Sequence, residues 1–263
     1  MRLALIGFGG IARVIAETLR GDGNVELVAV AARPAHREAI VRTLGRVPVV
    51  NDARELIETK PEVVVECASH DAFLTYAEPL LGAGICLVAL SVGVLADRGY
   101  RERVLESART GGGILEIPAG AIGGIDAIAA ARHAGLERVS YTTRKPPAMW
   151  RGTAAETMLD LAGVDSPRLF FDDYAERACA LFKSKANVAA TLALAGIGFE
   201  ATRVRLWADP AVARSTHTID MEGACGRMRV ELSNTVAADG RASLLTAMSV
   251  VRAVRNRTGI VRL

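Results

Sequence analysis

At 263 residues, with 51% of its side chains hydrophobic, the chain can bury one large core or two small ones. Its net charge is only +3, and its 28 arginines stand scattered among acids with no Lys/Arg block, which speaks against a nucleic-acid partner. No apolar run approaches a membrane span, the best being 188–199. Cys67, Cys86, Cys179 and Cys225 are too far apart for a CxxC or local metal pair, so the expectation is free thiols, no metal, no membrane and a cytoplasmic setting.

The chain opens on an apolar run, 3–6, followed directly by Gly7-Phe8-Gly9-Gly10-Ile11-Ala12. This is the G-x-G-x-x-A spacing of a dinucleotide turn. The first glycine makes the tight turn, the second lets a pyrophosphate approach the backbone, and the small Ala12 lets helix and strand pack closely. The helix expected at 11–20 offers free N–H groups and its positive end to phosphate. Further β-like runs follow at 25–32, 47–50, 62–68, 85–91 and 113–117, separated by helical patterns such as 53–59, 71–81 and 100–108. Near-continuous apolar strands alternating with helices predict a parallel sheet covered on both faces, a doubly wound α/β fold. Cys67 and Cys86 fall in these runs and read as buried thiols.

The pattern changes after Pro118. Small residues lead into a helix expected at 125–133, then longer runs at 138–144, 168–174, 202–208, 215–222 and 227–232. Their polar–apolar alternation predicts a second α+β domain built on a mainly antiparallel sheet with one wet face. Asn187 precedes an Ala/Leu-rich helix and reads as its N-cap. A last helix, 243–256, is expected to return to the first domain, with Leu244, Leu245, Met248, Val251 and Val254 as its apolar residues. The predicted domains are 1–120, completed by 241–263, and 121–240.

Taken in order, several segments resemble the L-aspartate dehydrogenase family, within the two-domain dehydrogenases that include dihydrodipicolinate reductase. Besides the glycine turn they are Glu66-Cys67-Ala68-Ser69, Ser91-Val92-Gly93-Val94-Leu95, and the stretch from Pro118 through Ala121 to Asp126. Thr143-Arg144-Lys145-Pro146-Pro147, Asn187-Val188-Ala189-Ala190-Thr191 and Thr216-His217-Thr218-Ile219 complete the set. The resemblance implies NAD(P)-dependent oxidation of L-aspartate to iminoaspartate, then oxaloacetate and ammonia or a route into NAD synthesis, by a homodimer. It also implies cofactor contacts from Ala121 and Asn187, and His217 as the active-site residue. The alternatives are a sister dehydrogenase acting on another small amino or imino acid, and a non-catalytic dinucleotide sensor.

On the residues alone, His217 shares one strand face with Ile219 and Met221 and reads either as a core histidine or as a base. Amine oxidation needs a group that takes a proton near neutrality, and an imidazole suits that task. A dicarboxylate substrate needs cations, for which Arg144 and Lys145, before Pro146-Pro147, are candidates; Lys183 and Lys185 lie just before Asn187. The expected cofactor-binding set is Gly7, Gly9, Gly10, Ile11, Arg33, Ala68, Ala121 and Asn187. An NAD-selective site carries an acid at the end of the second strand. Here that end reads Ala31-Ala32-Arg33, with His36 and Arg37 close behind, so NADP is expected to be accepted alongside NAD.

Overall fold

In the computed structural model, which describes residues 1–235 and 243–262, the apolar runs of the first half assemble into one parallel sheet. Its strands are β1 (Arg2–Ile6), β2 (Glu26–Ala31), β3 (Val49–Val50), β4 (Val63–Glu66), β5 (Cys86–Ala89) and β6 (Ile114–Glu116), in the order β3-β2-β1-β4-β5-β6. Helices α1 (Gly10–Leu19), α2 (Arg37–Leu44), α3 (Ala53–Glu58), α4 (His70–Gly82) and α5 (Arg98–Gly111) connect them. The strand order reverses at β1, which pairs with β2 on one side and β4 on the other. A ligand crevice forms at such a switch point, beyond the carboxyl ends of the strands.

Val63, Val64, Val65 and Glu66 are all buried, so β4 has no wet face, and the helices on both sides of the sheet explain why. Helix α9 (Leu244–Thr258) belongs to this unit. Its Ala247, Val250, Val251 and Val254 join Leu5 of β1 and Ile15 and Leu19 of α1 in one buried cluster, whereas Leu244 and Leu245 are exposed. Each fully buried aliphatic side chain of this kind contributes roughly 1.5–3 kcal/mol. Helix α2 carries no sequence signal of comparable strength, because Ile40 is its one buried residue.

The chain divides into Met1–Gly120 with Val236–Leu263, and Ala121–Thr235. The boundary expected between 240 and 241 lies outside the described residues. The second unit contains α6 (Ile125–Ala131), β7 (Leu136–Lys145), β8 (Arg168–Tyr174), α7 (Ala175–Phe182), α8 (Asn187–Ala195), β9 (Arg203–Ala208), β10 (Thr216–Gly223) and β11 (Gly226–Ser233). Its sheet runs β11-β10-β7-β9-β8. All pairings are antiparallel except β7 with β9, which is parallel. A parallel pair needs a long crossover, and here the crossover carries β8, α7 and α8. Helix α7 was not legible in the sequence, since it continues directly from β8 with no side-chain cap to mark its start. Strand β10 alternates in burial, with His217, Ile219 and Met221 inward, as its sequence pattern predicts.

Candidate active site

In the first unit, a cavity of about 720 Å³ opens at the carboxyl ends of β1 and β2, and Gly7, Gly9, Arg33 and Ala68 line it together. Gly7 is required twice over. Its φ of +92° is strained for any residue with a side chain, and a Cβ built there would lie 2.7 Å from the Ala68 Cβ. A Cβ on Gly9 would meet nothing within 4 Å, so the space over the turn is open for a ligand. Gly9 is the N-cap of helix α1, which has no side-chain cap and no acid in its first turn. By contrast α3, α4 and α5 are each capped by a side chain, Asp52, Ser69 and Asp97. The first N–H groups of α1 carry no side-chain cap and Gly9 lines the open cavity, which fits the pyrophosphate of a dinucleotide. Gly10 and Ile11 open α1 but do not line the cavity.

Arg33 and His36 lie on the cavity wall beyond β2; Arg37 opens α2 and is not part of it. Among the described residues the one acid on the wall, Asp71, belongs to α4 and not to the end of β2. Cys67 is only half-buried, because it stands just past β4 with its thiol donating to the Ile6 carbonyl at 3.4 Å. Glu66, quoted above only as part of a motif, is completely buried. It accepts from the Ala68 and Ser69 amides at 2.8 and 3.1 Å, and from the Ser91 amide and hydroxyl at 2.9 and 3.0 Å. Burial pushes its pKa up, while those hydrogen bonds pull the other way. Glu66 thus ties the cavity wall at Ala68 and Ser69 to the segment after β5.

In the second unit, strand pairing sets His217 opposite Thr143, and alternation along β7 puts Tyr141, Thr143 and Lys145 on the same inward face. The Tyr141 phenol is 2.7 Å from His217 Nδ1, and the two rings lie nearly parallel, 9° apart in tilt. Burial first, and then the charge of Lys145, hold the His217 pKa down at about 4, which corrects the near-neutral value expected of it from the sequence, so the imidazole is neutral at physiological pH. Lys145 is 8% exposed, with its ammonium 4.7 Å from the centre of the Trp150 ring. Burial, and then the neighbouring Lys185, lower its pKa to about 8. Among the described residues no carboxylate pairs with it. The Trp150 face offsets part of the cost of burying that charge, but an anion would offset far more.

Arg144, next along β7, points to the other side. It pairs with the buried Asp209 at 3.2 Å and lies 4.3 Å over the Trp207 ring. The two cations read together from the sequence are therefore separated by the strand's alternation. Arg144 is committed to a carboxylate, and among the described residues Lys145 is not.

Ala121 lies in the turn after Gly120, where its carbonyl accepts from the Asn234 side chain at 2.9 Å. Asn187 is the first residue of α8. The N-cap is Ala186 and no side chain caps the helix, which corrects the capping expectation: the preceding turn already occupies the cap position. Among the described residues no group of His, Cys, Asp and Glu is arranged to hold a metal ion, and no helix is long and apolar enough to cross a membrane.

Comparison with known proteins gives concordant findings for both units. Residues 126–257 match the family model described as "Aspartate dehydrogenase, C-terminal", and residues 7–118 match "Homoserine dehydrogenase, NAD binding domain". The chain is 40% identical over 262 residues to the L-aspartate dehydrogenase of Polaromonas sp., covering 98% of this chain and 97% of that one. It is 41% identical over 261 residues to the L-aspartate dehydrogenase of Pseudomonas aeruginosa, covering 97% of each. The crystal structure of aspartate dehydrogenase from Thermotoga maritima is similar with a TM-score of 0.81 at 26% identity, covering 100% of this chain and 99% of that one.

Proposed function

The chain belongs to the L-aspartate dehydrogenase family, and on that premise we propose that it oxidises L-aspartate at Cα with NAD or NADP as hydride acceptor. The first unit is the NAD(P)-binding part, and the second supplies the substrate-handling groups. The observation that carries the substrate assignment is the buried Lys145 ammonium, which lacks an anionic partner among the described residues and stands beside a neutral histidine. One carboxylate of a dicarboxylic amino acid would complete that cation. His217 would take a proton from the substrate amine as the Cα hydrogen leaves, so that a C=N bond forms and iminoaspartate results. The bound nicotinamide supplies the acceptor for that hydrogen and its electron pair. The imine then adds water to give oxaloacetate and ammonia, or passes on into pyridine-nucleotide synthesis. The same family membership extends the proposal to a homodimer.

Ala121 and Asn187 are the proposed cofactor contacts of the second unit, and Gly7, Gly9 and Ala68 those of the first. Arg33, exposed on the cavity wall with no acid at the end of β2, supports acceptance of a ribose 2′-phosphate. An absorbance assay on purified protein with a panel of L- and D-amino acids and both cofactors tests the activity. Turnover with L-aspartate is expected. Turnover only with other amino acids would assign a sister dehydrogenase, and cofactor binding without turnover a sensor. The cofactor reading is checked by titrating NADP onto wild type and Arg33→Ala: the variant should bind NADP about tenfold more weakly, with NAD little changed.

A further inference from the structure

Glu66 enters no step of the proposed reaction and does not line the cavity, yet it is a carboxylate with 0% exposure at the end of β4. Burying such a group is costly unless donors meet it, and three main-chain N–H groups converge on this one. The Ala68 and Ser69 amides donate to Oε1 at 2.8 and 3.1 Å, and the Ser91 amide donates to Oε2 at 2.9 Å. The Ser91 hydroxyl adds a bond to Oε1 at 3.0 Å. A main-chain N–H only donates, so both end atoms of residue 66 have to accept. A carboxylate meets that demand and a carboxamide does not. With Gln in its place, the NH2 would face either the Ser91 N–H or the Ala68 and Ser69 pair. Donor would oppose donor, with no water to relieve the clash.

The groups that Glu66 grips are parts of the cavity. Ala68 and Ser69 stand on its wall, and Ser69 is also the N-cap of α4, its Oγ accepting from the Ala72 amide at 3.2 Å. The first turns of α4 extend that wall through Asp71, Ala72, Thr75 and Tyr76. Ala68 in turn abuts the glycine turn so closely that a Cβ on Gly7 would lie 2.7 Å from its own. The space between turn and wall is therefore set where Glu66 holds the chain.

We propose that Glu66 is a positioning residue for dinucleotide binding, a buried acceptor that fixes the Ala68–Ser69 wall and the start of α4 against the glycine turn. It needs to touch neither cofactor nor substrate, and its role rests on the reading of this cavity as the dinucleotide site. The signature of such a residue is a loss of cofactor affinity with the chemical step spared.

The test is equilibrium titration of NAD onto full-length wild type and Glu66→Gln, beside steady-state kinetics and thermal melting. Wild type should bind NAD; failure to bind either NAD or NADP would overturn the dinucleotide reading of the cavity and the proposal with it. Glu66→Gln should bind NAD about 10–100-fold more weakly and raise KM for NAD to match, with kcat at saturating NAD and KM for aspartate within about threefold. Ser91→Ala removes one hydrogen bond and keeps the three amides, so it should fold even where Glu66→Gln does not, and should weaken NAD about threefold. Val104→Ala opens a gap at a buried residue of α5 off the cavity wall, and should lower the melting temperature with NAD affinity unchanged. Unchanged affinity in Glu66→Gln, or in Ser91→Ala should the Gln variant not fold, overturns the proposal. So does a fall in kcat with KM for NAD unchanged, or a loss of affinity in Val104→Ala as large as that in Glu66→Gln, which would mark general destabilisation.

Discussion

The two units build their candidate sites for a polar ligand from different materials. The first uses backbone: a glycine turn, uncapped N–H groups at α1, and a wall pinned by Glu66. The second uses side chains that are costly to bury, with Lys145 lacking an anionic partner among the described residues and His217 held neutral. Backbone sites are built by what is missing, the Cβ atoms and caps, and so they cost little stability before a ligand arrives. A buried side-chain site of this second kind carries unfavourable desolvation that an anionic ligand would relieve. Removing a group should therefore weaken the first unit's fold or its ligand binding, whereas in the second it should separate activity from stability.

The sharpest test of this contrast is His217→Asn. It should lower kcat by roughly 10²–10⁴-fold while cofactor affinity stays within about twofold, measured by steady-state kinetics and fluorescence titration. Gly7→Ala and Gly9→Ala come next and should part company. The first forces a side chain onto a φ of +92° against the Ala68 Cβ and should cost about 2–4 kcal/mol in urea unfolding. The second meets no protein atom within 4 Å, so its unfolding midpoint should be unchanged while dinucleotide affinity falls on the order of 10²-fold. Equal loss of stability in both would erase the distinction between turn and cradle.

A pH series follows in size. The His217 ring stays neutral in the folded chain down to about 4, whereas the unfolded ring takes up a proton near 6.5. Its contribution is therefore complete above pH 6.5 and is lost progressively as the pH falls toward 4, at most about 3 kcal/mol. Unfolding free energies of wild type should fall more steeply across that window than those of His217→Asn. The smallest effect expected is Lys145→Met. It should raise KM for aspartate about tenfold yet raise the melting temperature, because a buried cation without a partner is replaced by an apolar chain of similar length. A fall in both stability and activity would mean that Lys145 has a partner that the charge pattern does not reveal.

Much of the first unit was legible because its chemistry is local. Gly7, Gly9 and Ala12 sit at fixed spacing after an apolar run, and strand, turn and helix follow from neighbours in the chain. The second unit was legible as strands, since alternation in 215–222 and 138–144 matches β10 and β7. Tyr141 and Thr143 were not singled out as site residues. The signal was present in the shared alternation of Tyr141, Thr143 and Lys145, but only the pairing of β7 with β10 puts them beside His217. Helix α7 and the parallel β7–β9 pair were missed for the same reason, because no local spacing marks either.

Sequence alone thus determined the dinucleotide turn, the alternation of strands and helices, the inward face of His217, and the absence of an acid at the end of β2. These depend on residue type and short spacing, which a chain carries with it before folding. Tertiary structure decided that Arg144 is paired with Asp209 while Lys145 has no carboxylate partner among the described residues, that Glu66 pins the cavity wall, and that Tyr141 of β7 meets His217 of β10. Those outcomes depend on which buried groups meet across strands, and burial is what turns a contact between polar groups into a choice of charge and proton position.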